Sequence, residues 1–220
     1  MMDELKTKNV SSFSYFGASV RSRKIKAPAK KSIRKTVPFS SQIYDFSKID
    51  GEIYYGEQEL EYVLEMSADS AEKLEKKKMP LKNWLMNIFE ENLYDPFTEE
   101  YHYKATYSSH KFDDSEDGEY TALTVVFKAY PYMISNTAKE FSFNLNSLEQ
   151  KFYIENDSSH RVYASVSTKV PVEITIGTSK YSVTGIHEKV LPLNVGNNEL
   201  KVKATAGNGT LKVSFHEEVF

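Results

Sequence analysis

Apolar and polar residues alternate in short runs along most of the chain. Between Gln58 and Met66, Leu60, Tyr62 and Leu64 share one face, the period of a half-buried strand. The last eighty residues repeat the pattern in Val172/Ile174/Ile176, Leu191/Leu193/Val195, Leu200/Val202/Ala204 and Leu211/Val213/Phe215. Turn residues stand at Gly177, Gly185, Gly196-Asn197-Asn198 and Gly207-Asn208-Gly209. This spacing, about 8–11 residues, is that of a small sandwich or jelly roll. One stretch breaks the alternation. Leu81, Trp84, Leu85, Ile88 and Phe89 follow at helical spacing. Asp69 and Glu72 offer a capping box before them. Pro80 fits badly inside a helix, so the pattern predicts a short helix to about Lys77 and a second with Pro80 in its first turn. Asp95-Pro96 closes the region.

Before this region, Val20–Lys26 and Ser32–Val37 read as two short strands separated by Ala27-Pro28-Ala29, a hairpin or loop. Ile53-Tyr54-Tyr55 and Gln58–Met66 read as a hairpin across Gly56. After it, strands at Glu100–Ser108 and Tyr120–Tyr130 flank an acidic loop. The segment "PYMISNTAKE" interrupts the pattern near residues 131–139. The expected fold is therefore mainly β, in two domains: residues 1–135, with the helical segment near 69–90, and residues 136–220.

Composition narrows the class. The chain has 220 residues, 40% hydrophobic and 27% charged, which suits a globular protein of one large domain or two small ones. No apolar run reaches the length of a membrane span. Met1–Val10 lacks the apolar core of a secretory signal, so synthesis in a cytoplasm without cleavage is expected. The absence of cysteine removes disulfides, thiolate metal sites and cysteine nucleophiles.

The net charge of -3 hides an asymmetry. Residues 1–40 hold ten Lys/Arg against two acids, a local +8, so the other 180 residues carry -11. Eight of these cations, Arg21, Arg23, Lys24, Lys26, Lys30, Lys31, Arg34 and Lys35, fall in one stretch without an acid. No aromatic residue lies between Arg21 and Val37. The stretch therefore reads as a strand pair with one solvated basic face, not as a stacking platform for bases. Phosphate contacts need only charge, so nucleic-acid binding stays as an alternative.

Other chemistry is sparse. His102, His110, His160, His187 and His216 are far apart and read as structural or surface residues. There is no phosphate loop, nucleophile elbow or His-Glu-x-x-His. Glu90-Glu91 and Glu99-Glu100 read as solvated faces, leaving no positive sign of a hydrolase. Asp113-x-Ser115-x-Asp117-Gly118 matches the start of a calcium loop, but the twelfth position is Thr124 and not a bidentate Glu. Asn208-Gly-Thr210 reads as a turn. Tyr153, Tyr163 and Tyr181 could stack on sugars, which gives a carbohydrate-binding module as a second alternative.

The order of these features resembles the distal tail (Dit) proteins of long-tailed, siphovirus-type bacteriophages and prophages, most clearly over residues 13–133. It begins with Gly17-Ala18-Ser19. The basic strands follow, ending at Val37-Pro38. Next come "YDFSKIDGEIYYGEQELEYVLEM", with its aspartate-containing turn and Tyr54-Tyr55 pair, the capped helix with Asn83-Trp84-Leu85, and "LYDPFTEEYHYKATY". "GNGTLKVSFHEEVF" is similar to the family's closing strand. The chain departs at Phe39-Ser40-Ser41, where the family commonly has a glycine-containing turn. The resemblance implies an N-terminal tail-tube-like β-domain that forms a homohexameric ring, and a small galectin-like β-sandwich at the C-terminus. It implies a virion hub at the tail tip, assembled in the host cytoplasm. Its partners would be the tail tube protein, the tail-associated or tail-fibre protein and receptor-binding proteins. DNA would pass through the channel without specific binding. No membrane, cofactor, metal or catalytic residue is implied. The eight cations are then the expected contacts between subunits.

Overall fold

The structure is a computed structural model that describes residues 3–36, 38, 39, 41, 43–47 and 52–220. Val37, Ser40 and positions 48–51, which bear on the second basic run, the departing turn and the aspartate-containing turn, lie outside the described residues. The protein is mainly β, and divides into two compact units, Met1–Met133 and Ile134–Phe220.

The first unit opens with α1 (Ser12–Phe16), which no sequence signal indicated. The Ser11 hydroxyl accepts from the Ser14 amide, and Gly17 ends the turn at φ 71°, a left-handed conformation that favours glycine. Burial opposes ionisation of Glu4, but hydrogen bonds from Lys6, Ser11 and Ser14 outweigh it and hold its carboxyl at about 2. Strands β1 (Ser19–Lys26), β2 (Arg34–Thr36), β3 (Ile43–Asp45) and β4 (Gln58–Ser67) follow. Then come α2 (Ala71–Met86), β5 (Glu91–Tyr94), β6 (Tyr101–Asp114) and β7 (Tyr120–Ala129). The sheet order is β1-β4-β7-β6, with β5 on the start of β6. In β4 and β7 alternate residues are buried, as the period-2 pattern requires. Leu60, Tyr62, Leu64, Leu123, Val125 and Phe127 form the floor of the core.

Helix α2 covers this floor and corrects three readings. It is one helix, not two, and Pro80 lies inside it. Leu74, Lys78, Leu81 and Leu85 are buried on one face, before and after the proline. Their packing outweighs the roughly 3 kcal/mol an interior proline costs. The N-cap is Ser70, whose hydroxyl accepts from the Lys73 amide; Asp69 instead pairs with Lys73. The apolar stripe stops at Ile88, and Phe89, beyond the helix end, is 72% exposed. Trp84 is partly buried and stacks on Phe16 at 5.4 Å.

Of the hairpin or loop expected at Ala27-Pro28-Ala29, the structure has the loop. β1 pairs with β4, and β2 pairs with β3. Ile53–Tyr55 and β4 do not pair across Gly56: the Gly56 amide bonds to Ala29. β6 runs on to Asp114, so the acidic loop shrinks to residues 115–119.

Strand β8 (Met133–Ser135) lies at the division and pairs with β15 (Glu218–Val219). The second unit otherwise contains β9 (Lys139–Leu145), β10 (Gln150–Asn156), β11 (Val162–Ile176), β12 (Ser179–Leu193), β13 (Gly196–Ala204) and β14 (Gly209–Phe215). The order is β10-β13-β11-β14-β9, with β12 on β11. β11 and β12 are 15 residues each, longer than the turn spacing suggested. Gly177 turns between them, whereas Gly185 lies inside β12 and Gly196-Asn197-Asn198 start β13. The first half of β11 pairs with β14 and the second with β13. The register breaks between Thr168 and Val172, and such a break bends a strand. The sheet thus curls into a sandwich, closed where Phe143 of β9 stacks on Phe152 of β10 at 4.3 Å. Val195, past the end of β12, is 58% exposed, not a core residue.

Candidate interaction surface

The eight cations divide into two groups of four. Arg21, Arg23, Lys24 and Lys26 stand on β1, at the edge of the sheet. Across from them, β4 places Glu59, Glu61 and Glu65. Lys24 lies opposite Glu61 and Lys26 opposite Glu59, and opposite charges across a strand pair attract. Arg21 reaches Glu65 at 2.8 Å. The Glu59 carboxyl is held below its ordinary range, first by a hydrogen bond from Lys128 and further by the charges of Lys26 and Lys24.

Arg23 goes deeper. The sheet curls until β1 meets the loop after β5. There the Arg23 guanidinium donates to the buried carboxylate of Asp95 at 2.6 Å. The Tyr62 hydroxyl donates to the same oxygen at 2.8 Å, and the Phe97 amide to the other at 2.8 Å. The guanidinium lies 4.8 Å from the centre of the Phe97 ring. Burial, then the Asp95 charge, raises the Tyr62 phenol far above its ordinary value and pushes Tyr103 up to about 12. The β1 cations are thus matched within the chain. The signal was present: every second residue of "ELE" in β4 is acidic, opposite the core face.

Lys30, Lys31, Arg34 and Lys35 belong to a different structure. Between Ala29 and Gly56 the described residues form a narrow ribbon. The Gly56 amide bonds to Ala29, Lys31 to Tyr54 and Phe46 to Ile33, each at 2.8 Å. Arg34 lies opposite Asp45 in the β2/β3 register. Tyr55 anchors the root edge-on to Tyr132, at 6.1 Å. Among the described residues of 21–36 and 52–57 none is buried. Ile33, Phe39, Phe46, Ile53 and Tyr54 are exposed beside the cations. Aromatic rings missing from the basic sequence are therefore brought to it in space.

The other sequence candidates are dispersed. The His102 ring packs on Tyr94, His110 bonds to Tyr107, His160 to Glu218, His187 to Thr184 and His216 to Ser135. Burial, then the Lys82 charge, lowers the His110 pKa. In the acidic hairpin Asp113 pairs with Lys111, Asp114 with buried Lys78, and Asp117 accepts from Ser115. Among the described residues no group of three acidic, histidine or cysteine side chains is placed to hold a metal. Tyr153, Tyr163 and Tyr181 lie opposite Glu199, Pro192 and Ile174 respectively, on separate rows of the sheet. They do not form one stacking platform.

Solved structures show the same architecture. The crystal structure of the Dit protein of phage SPP1 matches with a TM-score of 0.69 at 11% identity, over 98% of this chain and 99% of that one. The chain has the fold of a phage Dit hub protein. That structure is described as a paradigm of the hub adsorption apparatus in phages that infect Gram-positive bacteria. Two phage P2 baseplate structures in the activated conformation, with calcium and with strontium, also align. They cover 96% and 97% of this chain and 98% and 97% of theirs, at 8% and 7% identity. Their TM-scores are 0.42 and 0.38. No family model matches the chain, and no curated protein sequence does.

Proposed function

We propose that the chain is a structural hub of a phage tail tip. Six copies close a ring around a central channel through which DNA passes. The first domain, residues 1–135, forms the ring, and the second, residues 136–220, decorates it. The hub joins the tail tube to the tail-associated and receptor-binding proteins, and it acts without catalysis. The observation that carries this reading is the match to the Dit hub over nearly the whole of both chains. A partial match could reflect one shared β-domain; a two-domain match end to end argues for the same construction.

A closed ring needs contacts between unlike patches. Arg21, Arg23, Lys24 and Lys26 have partners or facing carboxylates on their own chain, and Arg34 lies opposite Asp45, so the contact falls chiefly to Lys30, Lys31 and Lys35 on the ribbon. A DNA channel lined by them would retard its cargo, which also favours the interface. The triple variant Lys30→Glu, Lys31→Glu, Lys35→Glu should therefore lose the ring while its circular dichroism stays unchanged. Intact rings from this variant would contradict the assignment.

A further inference from the structure

The loop from Thr205 to Asn208 joins β13 to β14 and lies on the bend of β11. The Thr205 amide and hydroxyl both donate to the Pro171 carbonyl, at 2.9 and 3.1 Å. Gly209, the first residue of β14, lies against Val170. A Cβ at that position would meet the Val170 methyl groups closer than two carbons can approach. Val170 and Pro171 fall within the register break at which β11 passes from β14 to β13. Loop and bend therefore form a clasp, and only glycine fits at position 209.

That glycine follows an asparagine. Asn-Gly occurs once in the chain. Asn208 is exposed, and its side chain has no hydrogen-bond partner among the described residues. Gly209 has no side chain to shield its backbone nitrogen. It pairs with Leu145 at the end of the β9/β14 ladder, where strands open most easily. A free carboxamide thus stands next to an unhindered backbone nitrogen. Other asparagines lack the combination. The buried Asn156 and Asn198 are held by several hydrogen bonds each, and the Asn146 oxygen accepts from the Leu148 amide. Asn144 is exposed, but Leu145 follows it and crowds the nitrogen.

We propose that Asn208 is a spontaneous modification site of the folded chain, and that its isoaspartate product opens the clasp on β11. The Gly209 backbone nitrogen gives its proton to solvent base and attacks Cγ of Asn208. The bond from Cγ to the amide nitrogen breaks, ammonia leaves, and a succinimide ring closes. Water then opens the ring. Cleavage between Cγ and the Gly209 nitrogen yields aspartate, with the backbone unchanged. Cleavage between the main-chain carbonyl carbon and that nitrogen yields isoaspartate, in which the chain runs through Cβ and Cγ. The lengthened backbone moves Gly209 off Val170, whereas aspartate only adds a charge to an exposed loop. No oxidant, metal or enzyme is needed, and the site does not depend on the ring.

The test incubates the full chain at mildly alkaline pH, below its unfolding transition, and maps the digested protein by mass spectrometry. An isoaspartyl methyltransferase marks isoaspartate. Asn208 should convert severalfold faster than any other asparagine, and faster as pH rises, because attack requires the deprotonated nitrogen. Asn208→Gln should abolish the signal. The isoaspartate fraction should unfold at lower urea than the parent, while Asn208→Asp, with the same charge and a normal backbone, should unfold with the parent. Conversion of Asn208 no faster than that of the other asparagines, or only after unfolding in urea, would overturn the site. An isoaspartate fraction as stable as Asn208→Asp would overturn the opening of the clasp.

Discussion

Replacing Asp95 with alanine should destabilise the first unit by about 4 kcal/mol, the scale for removing one partner of a buried ion pair. The Asp95 side chain is fully buried and Arg23 is 27% exposed. The substitution leaves the guanidinium without its carboxylate, the Tyr62 hydroxyl without an acceptor and the Phe97 amide without its cap. Against a typical total of about 5–15 kcal/mol, that is a large fraction. Trp84, the single tryptophan, lies in the same unit, so its fluorescence during urea unfolding of the full chain reports the effect. Asp95→Asn should cost less, because its amide oxygen can still accept one of these bonds. A loss below about 1 kcal/mol for the alanine variant, the scale of an exposed pair, would show that this contact does not fasten β1.

Asn156→Ala should cost the second unit about 3 kcal/mol, since it strands several buried polar groups at once. The Asn156 side chain is fully buried. Its amide donates to the carbonyls of His160 and Leu193, and its oxygen accepts from the Ser158 amide at 3.0 Å. The loop at 157–160 in turn holds the C-terminal strand: Ser158 and Ser159 bond to Glu218, and Ser159 also accepts from Phe220. Asn156→Asp should be at least as damaging, because it sets a carboxylate against two carbonyls in a buried site. Far-UV circular dichroism during denaturation of the full chain measures both. An Asp variant as stable as the parent would contradict this account of the site.

Much of the architecture was legible because it is local. Leu60, Tyr62 and Leu64 alternate in β4, and Leu200, Val202 and Ala204 do so in β13, where all six are buried. Periodicity of this kind records which face is wet. It does not record which strand lies alongside. β1 is separated from its partner β4 by the whole ribbon, so proximity in sequence suggested β2 instead. The acidic alternation of β4 was the available clue to that pairing. Pro80 misled for a related reason: its cost is local, while the packing of Leu74, Leu81 and Leu85 that overcomes it is not.

The candidate surface was half legible. The run from Arg21 to Lys35 was visible as a charge block, but not its division. Arg23 and Lys31 look alike in sequence. One is bound to a buried aspartate 72 positions away, and the other stands on an exposed ribbon. Asp95 read as the end of a helical region because proline follows it. Its role depends on the curl of the sheet, which no short-range pattern encodes.

The proposed ring of six copies can be tested in solution. The most direct measurement is the mass in solution by light scattering over a range of concentrations, followed by negative-stain imaging, for the protein alone and mixed with the tail tube protein of the same phage. One chain is 25.2 kDa, so a closed hexamer is about 151 kDa. The expected result is that mass, with six-fold rings around a central channel. A 25.2 kDa monomer at every concentration, with and without the tube protein, would contradict it.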